Sequence, residues 1–96
     1  MEEFAVTQDQ MENVARTIYN FMPPTPQYNW PLLSQRVGTE VWVKHENHTP
    51  TGAFKIRGGL VYVDYMSGQR NASFEFIAAT RGNHGQSVAT AASHKG

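Results

Sequence analysis

Lys55 is the residue whose type and position in this sequence are best suited to chemistry. It lies in the segment 49–58, TPTGAFKIRG, after a Thr-Gly loop and in the predicted first turn of a helix. Because the helix macrodipole is positive at the N-terminus, this position disfavours the protonated form of a lysine. A neutral amine can attack a carbonyl carbon and form a Schiff base. The alternative interpretation is a solvated surface lysine, which is what most lysines are.

Arg57 adds a second positive charge to the same predicted turn. Cations normally favour the opposite end of a helix, where the macrodipole is negative. Two cations at a positive helix end therefore predict an anionic partner nearby.

A second candidate segment is 80–86, TRGNHGQ, which joins the predicted end of a strand to the start of a helix. Ligands bind at that end of the strands in open α/β sheets. Gly82 and Gly85 allow the backbone to approach a ligand closely, and free amides at a helix N-terminus can hold a carboxylate or phosphate. Asn83 offers a neutral donor to an oxygen anion. Taken alone, the segment favours a plain strand–helix turn in which Asn83 caps the helix.

The surrounding pattern predicts the elements that position these segments. A capping box at Thr7 and Gln10 begins a helix over about 8–21, and a proline-rich connector covers 23–31. Further elements are predicted as a short helix at 32–37 closed by Gly38, a strand at 40–46, a helix from 53 to 65 or 66 with Gly68 beyond it, a strand at 74–80, and a helix at 86–94 followed by Gly96. A stripe of apolar residues on the first helix is predicted to face the core: Met11, Val14, Ile18 and Met22.

The order of helices and strands is typical of α/β architecture, with a parallel sheet flanked by helices. Two parallel strands do not form a stable sheet alone, because parallel sheets are normally buried on both faces. We therefore expect only the N-terminal part of a larger fold to be present in these 96 residues.

The composition argues against several classes of protein. A net charge of zero argues against a protein that binds a nucleic-acid backbone, and no apolar run approaches the roughly 20 residues of a membrane span. The N-terminus is acidic where a secretory signal would be basic, so we expect a cytoplasmic protein. There is no cysteine, and the four histidines lack metal-ligand spacing. The segment 45–48, HENH, is one residue short of H-E-x-x-H and lies on a predicted strand, so no metal site is expected.

Residues 44–58, KHENHTPTGAFKIRG, closely resemble the pyridoxal-phosphate lysine motif of the serine/threonine dehydratases. These are fold-type II enzymes, similar to the tryptophan synthase β subunit. Residues 82–86, GNHGQ, resemble the second motif of that family, and the two motifs occur here in the family's order and separation. The resemblance covers residues 31–96 and is far more specific than either motif alone.

The resemblance implies a role for each candidate residue. Lys55 would hold pyridoxal 5′-phosphate covalently and, once released, would remove the Cα proton of the substrate. Phe54 would pack beside the cofactor ring, and Asn83 would hydrogen-bond its ring oxygen. The pocket for the substrate's α-carboxylate would be lined by Thr80, Gly82, Asn83 and His84. Arg81 stands where serine racemases carry a serine that acts as acid and base, so racemisation is not expected.

The implied activity is the dehydration and deamination of L-threonine or L-serine to a 2-oxo acid and ammonia. The alternatives are β-elimination or replacement on a related hydroxy-amino acid, and a truncated, non-catalytic remnant. The resemblance also implies a homo-oligomer for the complete enzyme, with residues 1–52 in its larger domain and residues 53–96 beginning the smaller one. The family's phosphate loop lies well beyond Gly96, so this chain alone is expected to be inactive.

Overall fold

The computed structural model describes residues 5–69 and 75–96. These ranges contain four α-helices and two short strands. In chain order they are α1 (Gln8–Tyr19), β1 (Gln27–Asn29), α2 (Pro31–Val37), β2 (Trp42–Lys44), α3 (Lys55–Gln69) and α4 (Asn83–Lys95), with a 3-10 turn at Glu46–His48. None of the helices in the described ranges combines the length and apolar character that crossing a bilayer requires.

α1 begins with the predicted capping box. The Thr7 hydroxyl accepts the Gln10 N–H at 3.2 Å, and the Gln10 side chain accepts the Thr7 N–H at 2.9 Å. Ile18 and Met22 are buried as predicted. Met11 is instead 59% exposed, because the cluster of core residues begins only at the next turn of α1.

The described sheet is a two-stranded antiparallel ribbon, so it is not the predicted parallel sheet. β1 falls in the segment that the prolines predict as a connector, and it pairs with β2 so that Gln27 faces Lys44. The chain reverses through α2, which ends at Gly38 with a left-handed φ of 82°. Because α2 and the loop after it reverse the chain, the two strands pair in opposite directions.

Residues 75–80 form no strand, contrary to the prediction, and Phe74 lies outside the described residues. A strand depends on hydrogen bonds to a neighbouring strand. The described part of the chain places no strand beside this segment, and Ile77 is fully exposed. The apolar, β-branched pattern is therefore present without the sheet that would bury it.

The core lies between α1, α3 and α4. Its buried members are Ile18 and Met22 from the first helical segment, Ile56, Leu60 and Val63 from α3, and Ala91 from α4. These side chains are removed from water, which is the main force that holds the three helices together.

α3 and α4 approach each other most closely at Gly59. A Cβ atom built on Gly59 would lie 2.8 Å from Ser87 Oγ and 3.0 Å from the Ser87 carbonyl carbon, and Ser87 is fully buried. Further along both helices, Lys95 Nζ lies 2.7 Å from Asp64 Oδ1. Because the contact later in α3 is also later in α4, the two helices run in the same direction.

The helix boundaries differ in detail from the predicted ones. α3 continues to Gln69, so Gly68 lies inside the helix rather than beyond it. α4 begins at Asn83 rather than Gln86. It ends as predicted at Gly96, whose N–H donates to the carbonyls of the last turn.

Two adjacent glycines of α3 allow the close helix contact to be tested. Gly59→Ala is expected to lower the free energy of unfolding by about 1–3 kcal/mol, because the added methyl group would collide with Ser87. Gly58 has nothing within 4 Å of its Cβ position. Gly58→Ala should therefore be neutral or stabilise by up to about 1 kcal/mol through helix propensity. Urea unfolding followed by circular dichroism measures both, and equal effects would contradict the packing described here.

Candidate active site

Lys55 is the first residue of α3, and its side chain is exposed. Its Nζ lies 5.2 Å from the centroid of the Phe54 ring, which is itself 59% exposed. No carboxylate in residues 5–69 or 75–96 forms an ion pair with this amine. The amine is thus held beside an aromatic face and remains accessible to a ligand.

The loop before Lys55 is fixed by Thr49. Its hydroxyl donates to the Ala53 carbonyl at 2.7 Å and accepts the Ala53 N–H at 3.0 Å. Gly52 closes the turn at a left-handed φ of 75°, and its N–H donates to the Thr49 carbonyl at 3.0 Å. The backbone therefore enters α3 in one defined direction.

The predicted anionic partner of the cations is Glu46, which belongs to the chain itself. Arg57 Nε lies 2.7 Å from Glu46 Oε2, and Arg57 Nη2 lies 3.2 Å from Glu46 Oε1. Both side chains are about one-fifth exposed, at 20% and 21%. The Thr25 hydroxyl donates to Glu46 at 2.6 Å and accepts from Arg57 at 3.2 Å. Arg57 is thus paired, and the anion that its position required is already present.

Sequence reasoning did not identify Glu46 or Thr25 as functional candidates. The available signal was the pair of cations at the start of α3, which indicated an anion without saying where it lies. Glu46 lies just after β2, and a loop separates it from Arg57 in α3. Their contact therefore depends on how that loop folds.

The pairing lowers the pKa of Glu46 below its usual 4.5, chiefly through the hydrogen bond from Arg57. Burial of the carboxylate opposes this shift, and the hydrogen bond from Thr25 assists it. A carboxyl group whose pKa is lower in the folded chain stabilises that chain above its unfolded pKa.

The second candidate segment is shaped by Thr80. The Thr80 hydroxyl accepts the N–H groups of Gly82 and Gly85, each at 3.1 Å. Gly82 has a φ of 140°, which residues with a side chain rarely adopt. A Cβ on Gly85 would lie only 2.6 Å from the Thr80 methyl carbon. Both glycines are therefore required by this turn.

The backbone N–H groups of Asn83 and His84 have no hydrogen-bond partner in the described part of the chain. They lie in the first turn of α4, where intrahelical acceptors do not exist. Gly82, not Asn83, is the N-cap residue of α4 and makes no side-chain cap, and the Thr80 hydroxyl accepts the Gly85 N–H of the first turn instead. The interpretation of Asn83 as a capping residue is therefore wrong, and its exposed carboxamide is available to a ligand.

The candidate segments lie at the same end of the helix pair because α3 and α4 are parallel. Lys55 lies one turn before Gly59 in α3, and Asn83 lies one turn before Ser87 in α4. Since Gly59 and Ser87 are in contact, the N-terminal turns of both helices lie at the same end of the pair. The amine and the two free amides are thus placed on one side of the molecule.

The chemistry of this end fits an aldehyde that also carries an anionic group. The amine can bond to the aldehyde, while the amides and the Asn83 carboxamide can donate to oxygen anions. Thr51, four residues before Lys55, has a buried hydroxyl oxygen that lacks a hydrogen-bond partner among the described residues. Buried polar atoms are normally satisfied, so such an atom is typical of a loop that contacts a ligand.

A metal centre finds no support in the described ranges. They contain no group of three or more histidine or acidic side chains arranged to hold an ion. Glu46 of the HENH segment is instead engaged by Arg57, and the segment forms a 3-10 turn rather than a strand or helix.

A lysine at the start of a helix, at the same end as a glycine-bordered turn with free amides, suits an enzyme that bonds its cofactor through an amine. Consistent with this, the family model described as "Pyridoxal-phosphate dependent enzyme" matches residues 18–96. The chain belongs to this family, whose cofactor is pyridoxal phosphate.

Several curated relatives are similar to the chain. L-threonine dehydratase of Pasteurella multocida is 38% identical over 79 residues, which is 82% of this chain and 15% of the relative. L-threonine ammonia-lyase of Thermotoga maritima is 34% identical over 87 residues, or 91% of this chain and 21% of the relative. L-threo-3-hydroxyaspartate ammonia-lyase of Saccharomyces cerevisiae is 31% identical over 80 residues, or 83% and 24%.

The chain therefore spans between 15% and 24% of the length of these three relatives. No solved structure matches it.

The pH dependence of stability tests the environment of Glu46. Because the folded pKa of Glu46 is lowered, its stabilising effect should be complete above pH 4.5 and decline as the pH falls through the lower folded value. Glu46→Gln should cost about 1–3 kcal/mol of unfolding free energy at neutral pH, and the cost should shrink in acid. Urea titrations at several pH values measure this difference. Arg57→Met removes the cause and should flatten the same part of the profile. A cost of Glu46→Gln that does not change with pH would contradict the assignment.

Proposed function

We propose that this chain supplies the cofactor lysine and the carboxylate-binding turn of a pyridoxal-phosphate-dependent ammonia-lyase. The proposed reaction converts L-threonine or L-serine to a 2-oxo acid and ammonia. The observation that carries the proposal is the exposed Lys55 amine at the same helix end as the N–H groups of Asn83 and His84, all without a hydrogen-bond or ion-pair partner among the described residues. The names of the Pasteurella and Thermotoga relatives support the choice of threonine.

Lys55 acts in two capacities in this proposal. Its amine would hold the aldehyde of the cofactor, and once displaced by substrate it would serve as the base that accepts the Cα proton. The position of Lys55 at the start of α3 suits both roles. The Thr49–Ala53 hydrogen bonds fix the loop before it, and the exposed side chain is free to move. Bound pyridoxal phosphate would supply an electron sink for the pair left at Cα.

The turn before α4 is the proposed carboxylate site. The backbone N–H groups of Asn83 and His84 donate to the substrate carboxylate, aided by the positive end of the helix macrodipole. Thr80 serves mainly to hold the turn open, since its hydroxyl already accepts from Gly82 and Gly85. The Asn83 carboxamide would donate to an oxygen of the bound cofactor, and Phe54, whose ring lies 5.2 Å from Lys55 Nζ, would offer it an aromatic face.

The wider setting follows from the resemblance. We propose that residues 1–52 belong to the larger domain and residues 53–96 to the smaller domain of a complete enzyme with a parallel sheet. The exposed apolar Ile77 segment fits a strand of that sheet. The complete enzyme is proposed to be a cytoplasmic homo-oligomer that acts on a free amino acid.

A related hydroxy-amino acid is the second candidate substrate. The yeast relative is named for L-threo-3-hydroxyaspartate, which carries an additional carboxylate. Arg81 is exposed in the turn before α4 and could pair with such a group, whereas threonine and serine offer it no anion beyond the α-carboxylate. Comparison of the three amino acids as substrates of the complete gene product separates these candidates.

Chemical labelling tests the cofactor lysine directly on the 96-residue chain. Addition of pyridoxal phosphate, reduction with borohydride and peptide mapping should place the label mainly on Lys55. Lys44 and Lys95 are the other lysines of the sequence and act as internal controls. Equal labelling of all three would mean that the amine reacts as an ordinary surface lysine, and the cofactor assignment would fail.

Turnover tests the role of Lys55 as a base. In the complete gene product, Lys55→Ala should reduce 2-oxo acid formation by at least about a thousandfold, because both the covalent link and the general base are lost. A coupled assay with lactate dehydrogenase measures the product. Lys44→Ala is the matched control and should leave the rate within about twofold, since an exposed surface lysine makes no contact with the reacting atoms. Substantial turnover by the Lys55 variant would refute its role.

A further inference from the structure

We propose that the Glu46–Arg57 ion pair, joined by Thr25, is a clamp that positions Lys55 for reaction with the aldehyde. This inference rests on the proposed function, because it assigns a positioning role toward the proposed cofactor lysine. Neither residue contacts the amine or is expected to contact the cofactor, so both are positioning residues rather than catalytic ones.

The first argument is the bracketing of Lys55 by two fixed points. Two residues before it, the backbone of Ala53 is held by both hydrogen bonds of the Thr49 hydroxyl. Two residues after it, Arg57 is held by Glu46 through two nitrogen–oxygen contacts of 2.7 and 3.2 Å. A lysine side chain has four rotatable bonds, so its reach depends on where its Cα–Cβ bond is aimed. Anchoring the chain at the Ala53 backbone on one side and at the Arg57 side chain on the other restricts that direction.

The second argument is that the clamp ties α3 to three other parts of the chain. Glu46 lies in the 3-10 turn after β2, and Thr25 lies in the segment before β1. The Tyr19 hydroxyl at the end of α1 accepts from Arg57 Nη1 at 3.2 Å, and the guanidinium carbon lies 5.6 Å from the Tyr19 ring centroid. The planar guanidinium uses its fork of donors and its face at once, which a lysine could not reproduce.

The third argument is that the clamp is more buried than the ion pair between Asp64 of α3 and Lys95 of α4. Arg57 and Glu46 are 20% and 21% exposed, whereas Lys95 and Asp64 are each 44% exposed at the same 2.7 Å separation. A less exposed pair with additional hydrogen bonds is screened less by water and holds its geometry better. The Lys95–Asp64 pair therefore serves as a control of equal length that lacks these features.

The test measures the selectivity of labelling by pyridoxal phosphate and borohydride on the 96-residue chain. Glu46→Gln and Arg57→Met should each lower the label on Lys55 relative to Lys95 by about fivefold, since each removes the charged, two-contact geometry. Lys95 is the reference in these variants because Lys44 lies close enough to Glu46 to influence its pKa. Asp64→Asn, scored against Lys44, should leave Lys55 labelling within about twofold, because it affects only an exposed pair.

A double variant separates positioning from general loss of stability. Glu46→Gln with Arg57→Met should label Lys55 no less than either single variant, because the two side chains act as one unit. Hydrogen exchange at the amides of Ile56 and Arg57 gives a second measurement that does not depend on the cofactor. It should rise in the clamp variants and remain unchanged in Asp64→Asn. Arg57→Met keeps a long side chain and a similar helical propensity and adds no lysine, so it supports the test if Glu46→Gln unfolds the chain.

Several outcomes would overturn the clamp. Unchanged Lys55 selectivity in both single variants would refute it, and so would a parallel change at all three lysines, which would indicate general unfolding. If the parent chain shows no preference for Lys55, the proposed cofactor role fails and the clamp fails with it. A selective parent chain with insensitive variants would refute the clamp alone.

Discussion

The close contact between Gly59 and Ser87 is the constraint on which the candidate site depends. With no side chain at Gly59, α3 can lie directly against α4, and the later contact between Asp64 and Lys95 shows that the helices run in the same direction. Both first turns then lie at the same end. If the helices were antiparallel, Lys55 and the turn before α4 would lie at opposite ends, and no shared site could form.

Two neighbouring cations lie at that helix end, and they differ in whether a carboxylate pairs with them. Arg57 is neutralised by Glu46 within the chain, while Lys55 has no carboxylate partner in the described ranges. A structural cation and a chemically available amine can therefore share one helical turn. The arrangement also explains why two cations are tolerated at the positive end of a macrodipole, since only one of them remains unpaired.

The described part of the chain contains packed helices but only a short two-stranded sheet. Three helices share a core, yet Ile77 in the segment that returns from α3 to α4 is fully exposed. In α/β folds, parallel helices are joined through strands of a sheet, and neighbouring strands bury one another. A β-branched residue in full contact with water is consistent with a chain that spans less than a quarter of its relatives' length.

The sequence by itself determined much of the local structure. Thr7 with Gln10 specified the start of α1, Gly38 and Gly96 specified helix ends, and the two motifs specified the family. These features depend on residues within a few positions of one another, so capping and glycine conformations can be read directly. The strand predicted at 74–80 and the parallel sheet are not formed in the described ranges, because a strand requires a neighbour that the local pattern does not contain.

Only the tertiary structure decided which groups meet. Glu46 as the partner of Arg57, the short β1 strand within the proline-rich connector, and the use of the Thr80 hydroxyl to hold its own turn all depend on loop paths. The same holds for Asn83, which local pattern alone favours as a cap and which the fold leaves free. Contacts between residues distant in sequence are set by the packing of α1, α3 and α4, and that packing is a property of the whole core rather than of any one segment.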